Sequence, residues 1–267
     1  MKIPLYQIDA FADRPFTGNP AAVCPLLRWL PDHRLQAIAS ENQLSETAFL
    51  VEEEGEEGLS YGLRWFTPVA EVDLCGHATL ASAWLVLTRL HPEGSEVALR
   101  TRSGVLTVRR EDGEDDRLAM SLPARPAEPC EAPSALLEGL GITPREILAA
   151  RRDYLVVVEA EADVECLAPA FDRLRELDRP GVIVTAPGRK FDFVSRFFAP
   201  ALGVPEDPVT GSAHCTLTPY WSIRLGKRRL RARQISPRGG DVCCEDHGDR
   251  ILISGKCAPY LEGTIDV

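Results

Sequence analysis

The chain has 267 residues, of which 45% are hydrophobic, enough to bury the core of one large domain or two smaller ones. Its 30 basic and 40 acidic residues give a formal charge of −10, which argues against a general role in binding nucleic acid or anionic membranes. No apolar run is long enough to cross a bilayer and the N-terminus lacks a signal peptide's features, so the protein is expected to be cytoplasmic.

Eight cysteines are scattered through the sequence, and without a secretion signal they are expected to be reduced thiols. The sequence has no Cys-x-x-Cys pair, no His-Glu-x-x-His motif and no glycine-rich phosphate loop after a strand. We therefore expect neither a bound metal nor an organic cofactor.

Apolar periodicity predicts a mixture of strands and short helices. The predicted strands are 5–10, 22–25, 47–51, 60–66, 97–100, 104–109, 118–122, 154–158, 181–185, 191–198, 230–236, 242–244 and 250–254. Helices are predicted at 32–40, 133–140, 144–150 and 168–177, in addition to two that follow from an internal repeat. This order of elements predicts an α+β fold and not a doubly wound parallel sheet.

The internal repeat relates two segments that lie 132 residues apart. Without gaps, six of the 22 positions from 64 to 85 are identical, whereas about one or two are expected from average composition. The identical pairs are Arg64 and Arg196, Phe66 and Phe198, Pro68 and Pro200, Val72 and Val204, Ala81 and Ala213, and Leu85 and Leu217. Each segment predicts an aromatic strand, a proline-containing turn and a helix that begins at a glycine-containing loop.

The first of these helices, around 78–87, has almost no polar face, so it is predicted to be buried on all sides with a sheet around it. The repeat therefore predicts two similar halves with a site where they face each other. We place the N-terminal half at 1–122, rejoined by the last strand at about 258–267, and the C-terminal half at 123–257. Four prolines crowd the predicted boundary at 123–133.

The two repeated helix starts carry candidate functional residues. The ungapped repeat places Cys75 opposite Asp207, with Gly76 and Gly211 close behind them. A helix N-terminus offers backbone N–H groups and a positive dipole end, and a glycine lets a ligand approach the backbone. The pattern therefore predicts a receptor for a small carboxylate.

Patterns alone leave other interpretations open for these residues. Asp207 or Ser212 would serve equally as a cap of the second helix. His77 would serve as an imidazole buried in the core, and Glu46 as an ordinary carboxylate at the start of an apolar strand.

Four sequence motifs together resemble the PhzF family, which is named for phenazine biosynthesis. They are FADRPFTGNPAAV at 11–23, NQLSETAF at 42–49, RWFTP at 64–68 with LCGHAT at 74–79, and EDPVTGSAH at 206–214. The matches extend from 7 to 214 in order, with a weaker one at 234–240. The resemblance implies the diaminopimelate epimerase fold, in which two pseudo-symmetric halves each wrap a curled mixed sheet around a central helix, usually in a homodimer.

The resemblance also implies roles for residues of this chain. It matches Glu46, His77 and Asp207 to the catalytic acid/base residues of the family, and Gly76, Gly211 and Ser212 to positions that line the substrate site. The implied activity is a cofactor-independent isomerisation that moves a proton on a small cyclic amino or hydroxy acid, similar to that of trans-2,3-dihydro-3-hydroxyanthranilate isomerase. The expected partners are a small anionic substrate and a second copy of the chain, not nucleic acid or membrane.

Three alternatives stay open. Related epimerases and proline racemases use two cysteines, whereas this chain keeps Cys75, interpreted as a packed remnant, and has Asp207 where the second is expected. A non-catalytic small-molecule binding protein would share the same fold. An interaction module has only the acidic run at 52–57 in its favour. The isomerase hypothesis depends on residues 46, 77 and 207 converging on one crevice.

Overall fold

The structure is a computed structural model that describes residues 1–53, 58–111, 113 and 116–267, so most of the acidic run at 52–57 lies outside the described residues. Among these residues the α-helices are α1 (Asp32–Asn42), α2 (Gly76–Leu85), α3 (Ser134–Leu140), α4 (Glu161–Glu165), α5 (Phe171–Leu174) and α6 (Gly211–Leu225). A π-helical turn, Val86–Leu90, continues α2, and a 3-10 turn, Pro200–Leu202, precedes a short strand.

The strands of the first part of the chain are β1 (Lys2–Ala10), β2 (Asn19–Leu26), β3 (Glu46–Glu52), β4 (Leu59–Phe66), β5 (Glu71–Val72), β6 (Glu96–Thr101), β7 (Gly104–Arg110) and β8 (Leu118–Pro123). Those of the second part are β9 (Glu128–Pro129), β10 (Glu146–Ala149), β11 (Asp153–Val157), β12 (Gly181–Pro187), β13 (Phe193–Ala199), β14 (Val204–Asp207), β15 (Arg229–Gln234), β16 (Gly240–Asp246), β17 (Arg250–Gly255) and β18 (Cys257–Asp266). The α+β expectation is confirmed.

The chain divides into two compact units. Unit 1 comprises Met1–Ser121 and Ser254–Val267, and unit 2 comprises Leu122–Ile253.

In unit 1, strands pair in the order β18, β1, β2, β3, β4, β6, β7 and β8, with β5 beside β4 as a short hairpin arm. The β2–β3 and β4–β6 pairs are parallel and the others antiparallel. All ten residues of α2 are buried, and this helix contacts β1, β2, β3, β7 and β18. The predicted apolar helix enclosed by a sheet is confirmed, since only a wrapped sheet lets strands this far apart in the pairing order reach one helix.

In unit 2, strands pair in the order β9, β10, β11, β12, β13, β15 and β16, with β14 beside β13. The β11–β12 and β13–β15 pairs are parallel. From β11 to β16 this succession of parallel and antiparallel pairs is the same as that from β2 to β7. The repeat seen in the sequence is therefore a repeat of topology.

The repeated arginine holds the hairpin that leads to each central helix. Arg64 makes two 2.7 Å hydrogen bonds to the Glu71 carboxylate, and Arg196 makes bonds of 2.7 and 2.8 Å to Glu206. Each guanidinium also lies over the ring of the phenylalanine two residues further on, at 5.2 and 5.0 Å. A bidentate pair with a stacked ring explains why both segments have Arg-x-Phe.

The two hairpins differ in length. Six residues separate the paired residues Trp65 and Val72, whereas nine separate Phe197 from Asp207. The longer hairpin contains a register shift in its β13 arm and the 3-10 turn. Beyond this point the two units therefore match at an offset of 135 residues rather than 132.

This shift overturns one sequence-based prediction. The residue that precedes α2 is Cys75 and the residue that precedes α6 is Thr210, so Thr210 and not Asp207 is the counterpart of Cys75. Asp207 instead lies at the position of Val72 on the hairpin arm. An alignment without gaps had no means of placing the three extra residues.

Two of the four additional predicted helices, at 32–40 and 133–140, are confirmed. The helix predicted at 144–150 is wrong, because this segment contains β10, which pairs with both β9 and β11. The helix predicted at 168–177 is reduced to the four residues of α5. The segment at 144–150 is too short for intrinsic helix propensity to outweigh strand pairing. Of the described helices, none has the length and apolarity that a bilayer crossing requires.

Candidate active site

Glu46 and His77 lie side by side in unit 1. Glu46 is the first residue of β3, and His77 is the second residue of α2, a helix that packs against this strand. The Glu46 Oε2 atom lies 3.2 Å from His77 Nε2, so the start of β3 and the start of α2 lie next to each other. The structure thus brings together two of the three predicted acid/base residues.

The His77 imidazole is a neutral hydrogen-bonding group. It is 4% exposed, and burial lowers its pKa to about 3. The Asn19 side-chain amide nitrogen lies 3.2 Å from His77 Nδ1, so with this amide orientation Nδ1 accepts a hydrogen bond and the ring proton resides on Nε2. That proton faces Glu46, although Nε2 lacks the alignment of a direct hydrogen bond.

Asn19 is a fully buried site residue that sequence reasoning did not single out, although it lies within one of the recognised motifs. It is the first residue of β2 and follows Gly18, whose φ is +67°. A Cβ atom on Gly18 would lie only 2.2 Å from the Ala10 carbonyl oxygen. Only glycine therefore lets the chain turn into β2 with the Asn19 amide beside the imidazole.

Cys75 completes the group around His77. Its Sγ atom lies 3.5 Å from His77 Nδ1, and the residue is 6% exposed. Cys75, His77 and Glu46 each offer one donor atom, and these three atoms lie within 4.8 Å of one another. Linear motifs do not reveal such a set, because Glu46 comes from a strand that precedes the helix by a long connection.

In unit 2, Asp207 is the last residue of β14, and the loop that follows it leads into α6. Its side chain is half-buried, and its Oδ2 atom accepts a hydrogen bond of 2.5 Å from Thr210 Oγ1. The N-cap residue of α6 is Thr210, so neither Asp207 nor Ser212 occupies the N-cap position.

Gln234 fixes this loop from the end of β15. The side chain is fully buried, with Nε2 donating to the Asp207 carbonyl oxygen at 2.6 Å and Oε1 accepting from the Thr210 N–H at 2.9 Å. Ser236 Oγ donates to the Pro208 carbonyl oxygen at 2.7 Å. Gln234 is the first residue of the weak sequence match at 234–240, but a single glutamine in a sequence does not predict these hydrogen bonds.

The predicted substrate-site residues lie at the starts of the two central helices. Gly76 and Gly211 are buried as the first residues of α2 and α6, and Ser212 is half-buried beside Gly211. The side chains of the two N-cap residues, Cys75 and Thr210, make no capping hydrogen bond, which leaves that task to other hydrogen-bond acceptors. Their role in substrate binding, like a joint action of Asp207 with Glu46 and His77, stays a prediction.

The fold of the chain is that of proline-type epimerases. A crystal structure of a hydroxyproline epimerase from Agrobacterium vitis aligns with a TM-score of 0.63 at 10% identity, covering 99% of this chain and 91% of that one. At this identity the likeness concerns the fold alone. It confirms the expected epimerase-type α+β fold.

The chain belongs to the PhzC-PhzF family of phenazine biosynthesis-like proteins, whose model matches residues 8–263. An uncharacterized isomerase of Pseudomonas aeruginosa is 56% identical, covering 99% of both chains. A crystal structure of a PhzF family protein from Enterococcus faecalis aligns with a TM-score of 0.94 and 42% identity over all of both chains. The resemblance drawn from the motifs is confirmed, and these likenesses support an isomerase-like role.

Proposed function

We propose that the protein is a cofactor-independent isomerase that moves a proton on a small cyclic amino or hydroxy acid by general acid/base catalysis. The observation that carries this proposal is the contact between the Glu46 carboxylate and the neutral, buried His77 imidazole at the start of α2. Glu46 takes a proton from one substrate carbon and returns it to another as the double bonds shift. Protons and electrons balance within the substrate, so this reaction needs no redox partner.

The surroundings of Glu46 suit a base that must be held in one orientation. The Nε2–H of His77 points towards its carboxylate, and Asn19 fixes the ring from the opposite side. A carboxylate placed this way is preorganised to remove a proton without waiting for solvent to rearrange. Because His77 stays neutral, it places an N–H dipole and not a positive charge beside the Glu46 carboxylate.

Asp207 is proposed to act in the same reaction, by holding a polar substituent of the substrate. Asp207 begins a short loop that ends at Thr210, and the Gln234 side chain hydrogen-bonds to the backbone of both residues. The position of the Asp207 carboxylate is therefore defined before substrate binds. Gly76, Gly211 and Ser212 are proposed to bind the substrate carboxylate through backbone N–H groups at the helix starts. A dihydro-hydroxyanthranilate has the carboxylate, amino and hydroxyl groups that this arrangement requires.

The decisive experiment follows the isomerisation in deuterated water. With trans-2,3-dihydro-3-hydroxyanthranilate, we expect the double bonds to shift and deuterium to appear at the carbon that receives the proton, unless transfer of the abstracted proton is fully internal. Glu46→Gln keeps the shape of the side chain and is expected to lower kcat at least ~100-fold, the usual contribution of a general base. Glu52→Gln, in the exposed last residue of the same strand, is the matched control and retains activity.

Each result has a defined meaning. If no double-bond shift occurs, this substrate is wrong. If Glu46→Gln is as active as the parent protein, the mechanism is wrong. For Asp207, a double-mutant cycle of Asp207→Asn with Glu46→Gln tests joint action, because groups that act as a unit give losses that do not add. Additive losses would contradict it.

Amino-acid racemisation or epimerisation is the second candidate, favoured by the thiol of Cys75 beside His77. It is distinguished by exchange of the α-proton of proline or hydroxyproline for deuterium. A Cys75→Ser variant separates the two, because an epimerase that uses this thiol loses activity and the proposed isomerase retains it. A bound small acid released on denaturation, with no turnover of any of these substrates, would favour a non-catalytic binding protein.

The protein is also proposed to form a homodimer, as its family resemblance implies. Sedimentation equilibrium of the purified chain tests this, since a single species near 29.4 kDa would contradict it.

A further inference from the structure

Three donor side chains of different chemistry surround one point in unit 1. The Cys75 thiol lies 3.5 Å from His77 Nδ1, the Glu46 carboxylate lies 3.2 Å from His77 Nε2, and one donor atom from each residue fits within a 4.8 Å span. Two of these residues are more than nine-tenths buried. The His77 Nε2 atom is also buried, and within the described part of the chain it has no aligned hydrogen-bond partner, although it faces the carboxylate. This nitrogen can bind a Lewis acid once its proton has moved to Nδ1.

The spacing of the donors agrees with that of a tetrahedral zinc site. Zinc binds thiolate sulfur at about 2.3 Å and imidazole nitrogen or carboxylate oxygen at about 2.1 Å. Tetrahedral angles then separate sulfur from nitrogen by roughly 3.6 Å and nitrogen from oxygen by roughly 3.4 Å. The nitrogen–oxygen pair is already close to this spacing. The Cys75 Sγ atom lies beside Nδ1, so one ion bound to Nε2 requires the Cys75 side chain to move towards Nε2.

The combination of ligands also selects the type of metal. Thiolate and imidazole favour zinc and similar thiophilic ions over magnesium or calcium, which prefer oxygen ligands. Three protein ligands leave a fourth position open. Asn19, on the far side of the ring, is placed to orient the imidazole in the way that outer hydrogen-bond partners orient metal-bound histidines.

We propose that Glu46, Cys75 and His77 form a binding site for a thiophilic divalent cation, represented by Zn²⁺, and that the bound ion inhibits the protein by occupying its base. On binding, the Cys75 S–H bond breaks, its proton goes to solvent and a sulfur–zinc bond forms. The imidazole stays neutral, its proton moving from Nε2 to Nδ1, where the turned Asn19 amide oxygen accepts it. The inhibition rests on the proposed function, whereas the binding does not.

Cobalt(II) is the probe, because thiolate coordination gives a near-ultraviolet charge-transfer band and tetrahedral geometry gives strong visible bands. Titration of the full-length protein with Co²⁺ is expected to show both bands saturating at one ion per chain, and Zn²⁺ is expected to displace them. Cys75→Ser should remove the charge-transfer band and weaken Zn²⁺ binding at least tenfold, and Glu46→Gln should weaken binding while keeping the band. Cys166→Ser, at an exposed cysteine, is the matched control and should change neither.

The circular dichroism spectrum of each variant verifies folding, and Glu46→Gln still tests the site if Cys75→Ser does not fold. The proposal is overturned if no charge-transfer band forms, or if the band persists in folded Cys75→Ser.

A separate activity measurement tests the inhibition. Zn²⁺ should inhibit isomerisation at the concentrations that displace cobalt, and a chelator should restore the activity. If no substrate is turned over, the proposed function fails while the cobalt spectra still decide the metal site. If turnover is normal and insensitive to saturating Zn²⁺, the proposal that the bound ion inhibits the protein is wrong.

Discussion

His214 makes the stability of unit 2 sensitive to acid. The side chain is fully buried in α6, where Nδ1 donates a 2.9 Å hydrogen bond to the Thr210 carbonyl oxygen and Nε2 has no hydrogen-bond partner among the described residues. Burial lowers the pKa of His214 from 6.5 to about 4. A proton added to Nε2 would be buried without an acceptor, so the folded protein resists protonation.

The direction of the effect follows from the two pKa values. Above pH 6.5 the imidazole is neutral whether the chain is folded or unfolded, and there is no penalty. As the pH falls from 6.5 towards 4, the unfolded chain binds a proton that the folded chain does not, so the free energy of unfolding decreases. The loss attributable to His214 is about 2 kcal/mol at pH 5 and approaches about 3 kcal/mol below pH 4.

Replacement by asparagine removes the titration while keeping a donor near the position of Nδ1. We expect His214→Asn to be less stable than the parent at about pH 7.5 because of lost packing, yet to lose about 2 kcal/mol less between there and about pH 5. Urea unfolding followed by tryptophan fluorescence at both pH values measures this difference. His33→Asn, at an exposed histidine, is the control. The reasoning is refuted if His214→Asn and the parent lose the same stability on acidification.

Two further substitutions test how the sequence fixes local geometry. Gly18→Ala is expected to lower the free energy of unfolding by at least ~2 kcal/mol, because a positive φ combines with a 2.2 Å contact between the new Cβ and the Ala10 carbonyl oxygen. Gly248→Ala, with a positive φ but open space around it, should lower it by only about 1 kcal/mol. Chemical denaturation measures both. Gln234→Ala leaves the buried Thr210 N–H without its acceptor and the Asp207 carbonyl oxygen without its donor, so we expect the free energy of unfolding to fall by about 1–3 kcal/mol. Under the proposed function, kcat is expected to fall by a larger factor than KM changes. A kcat equal to that of the parent would mean that the position of Asp207 is unimportant.

The sequence predicted those features that depend on composition and periodicity. The all-apolar helix was identified because no polar face remains in α2, and the repeat was visible because Arg64 and Arg196 perform the same structural task. The contact of Glu46 with His77 came from family resemblance, since nothing in the spacing of a strand start and a helix start fixes their distance. Features set by tertiary contacts were missed, as the β10 segment and the bracing role of Gln234 illustrate.

The two units share a framework but place their chemistry differently. The pairing of β3 with β4, and of β12 with β13, makes Gly181 the counterpart of Glu46. Unit 2 instead has a buried carboxylate, Asp153, on the neighbouring strand, and a Cβ atom on Gly181 would lie 1.9 Å from its Oδ1. The base of the proposed reaction therefore has no equivalent at the same position in unit 2.

The same comparison bears on the choice between isomerase and racemase. A racemase that uses a thiol on each side of the substrate carbon requires cysteines at both helix starts, but the counterpart of Cys75 is Thr210, whose hydroxyl donates to Asp207. A threonine hydroxyl is far too weak an acid to replace a thiol in proton exchange at neutral pH. Thr210, and not Asp207, therefore stands at the position of the second cysteine, and a two-thiol mechanism stays impossible. Proton transfer by Glu46, the proposed mechanism, does not require a second thiol.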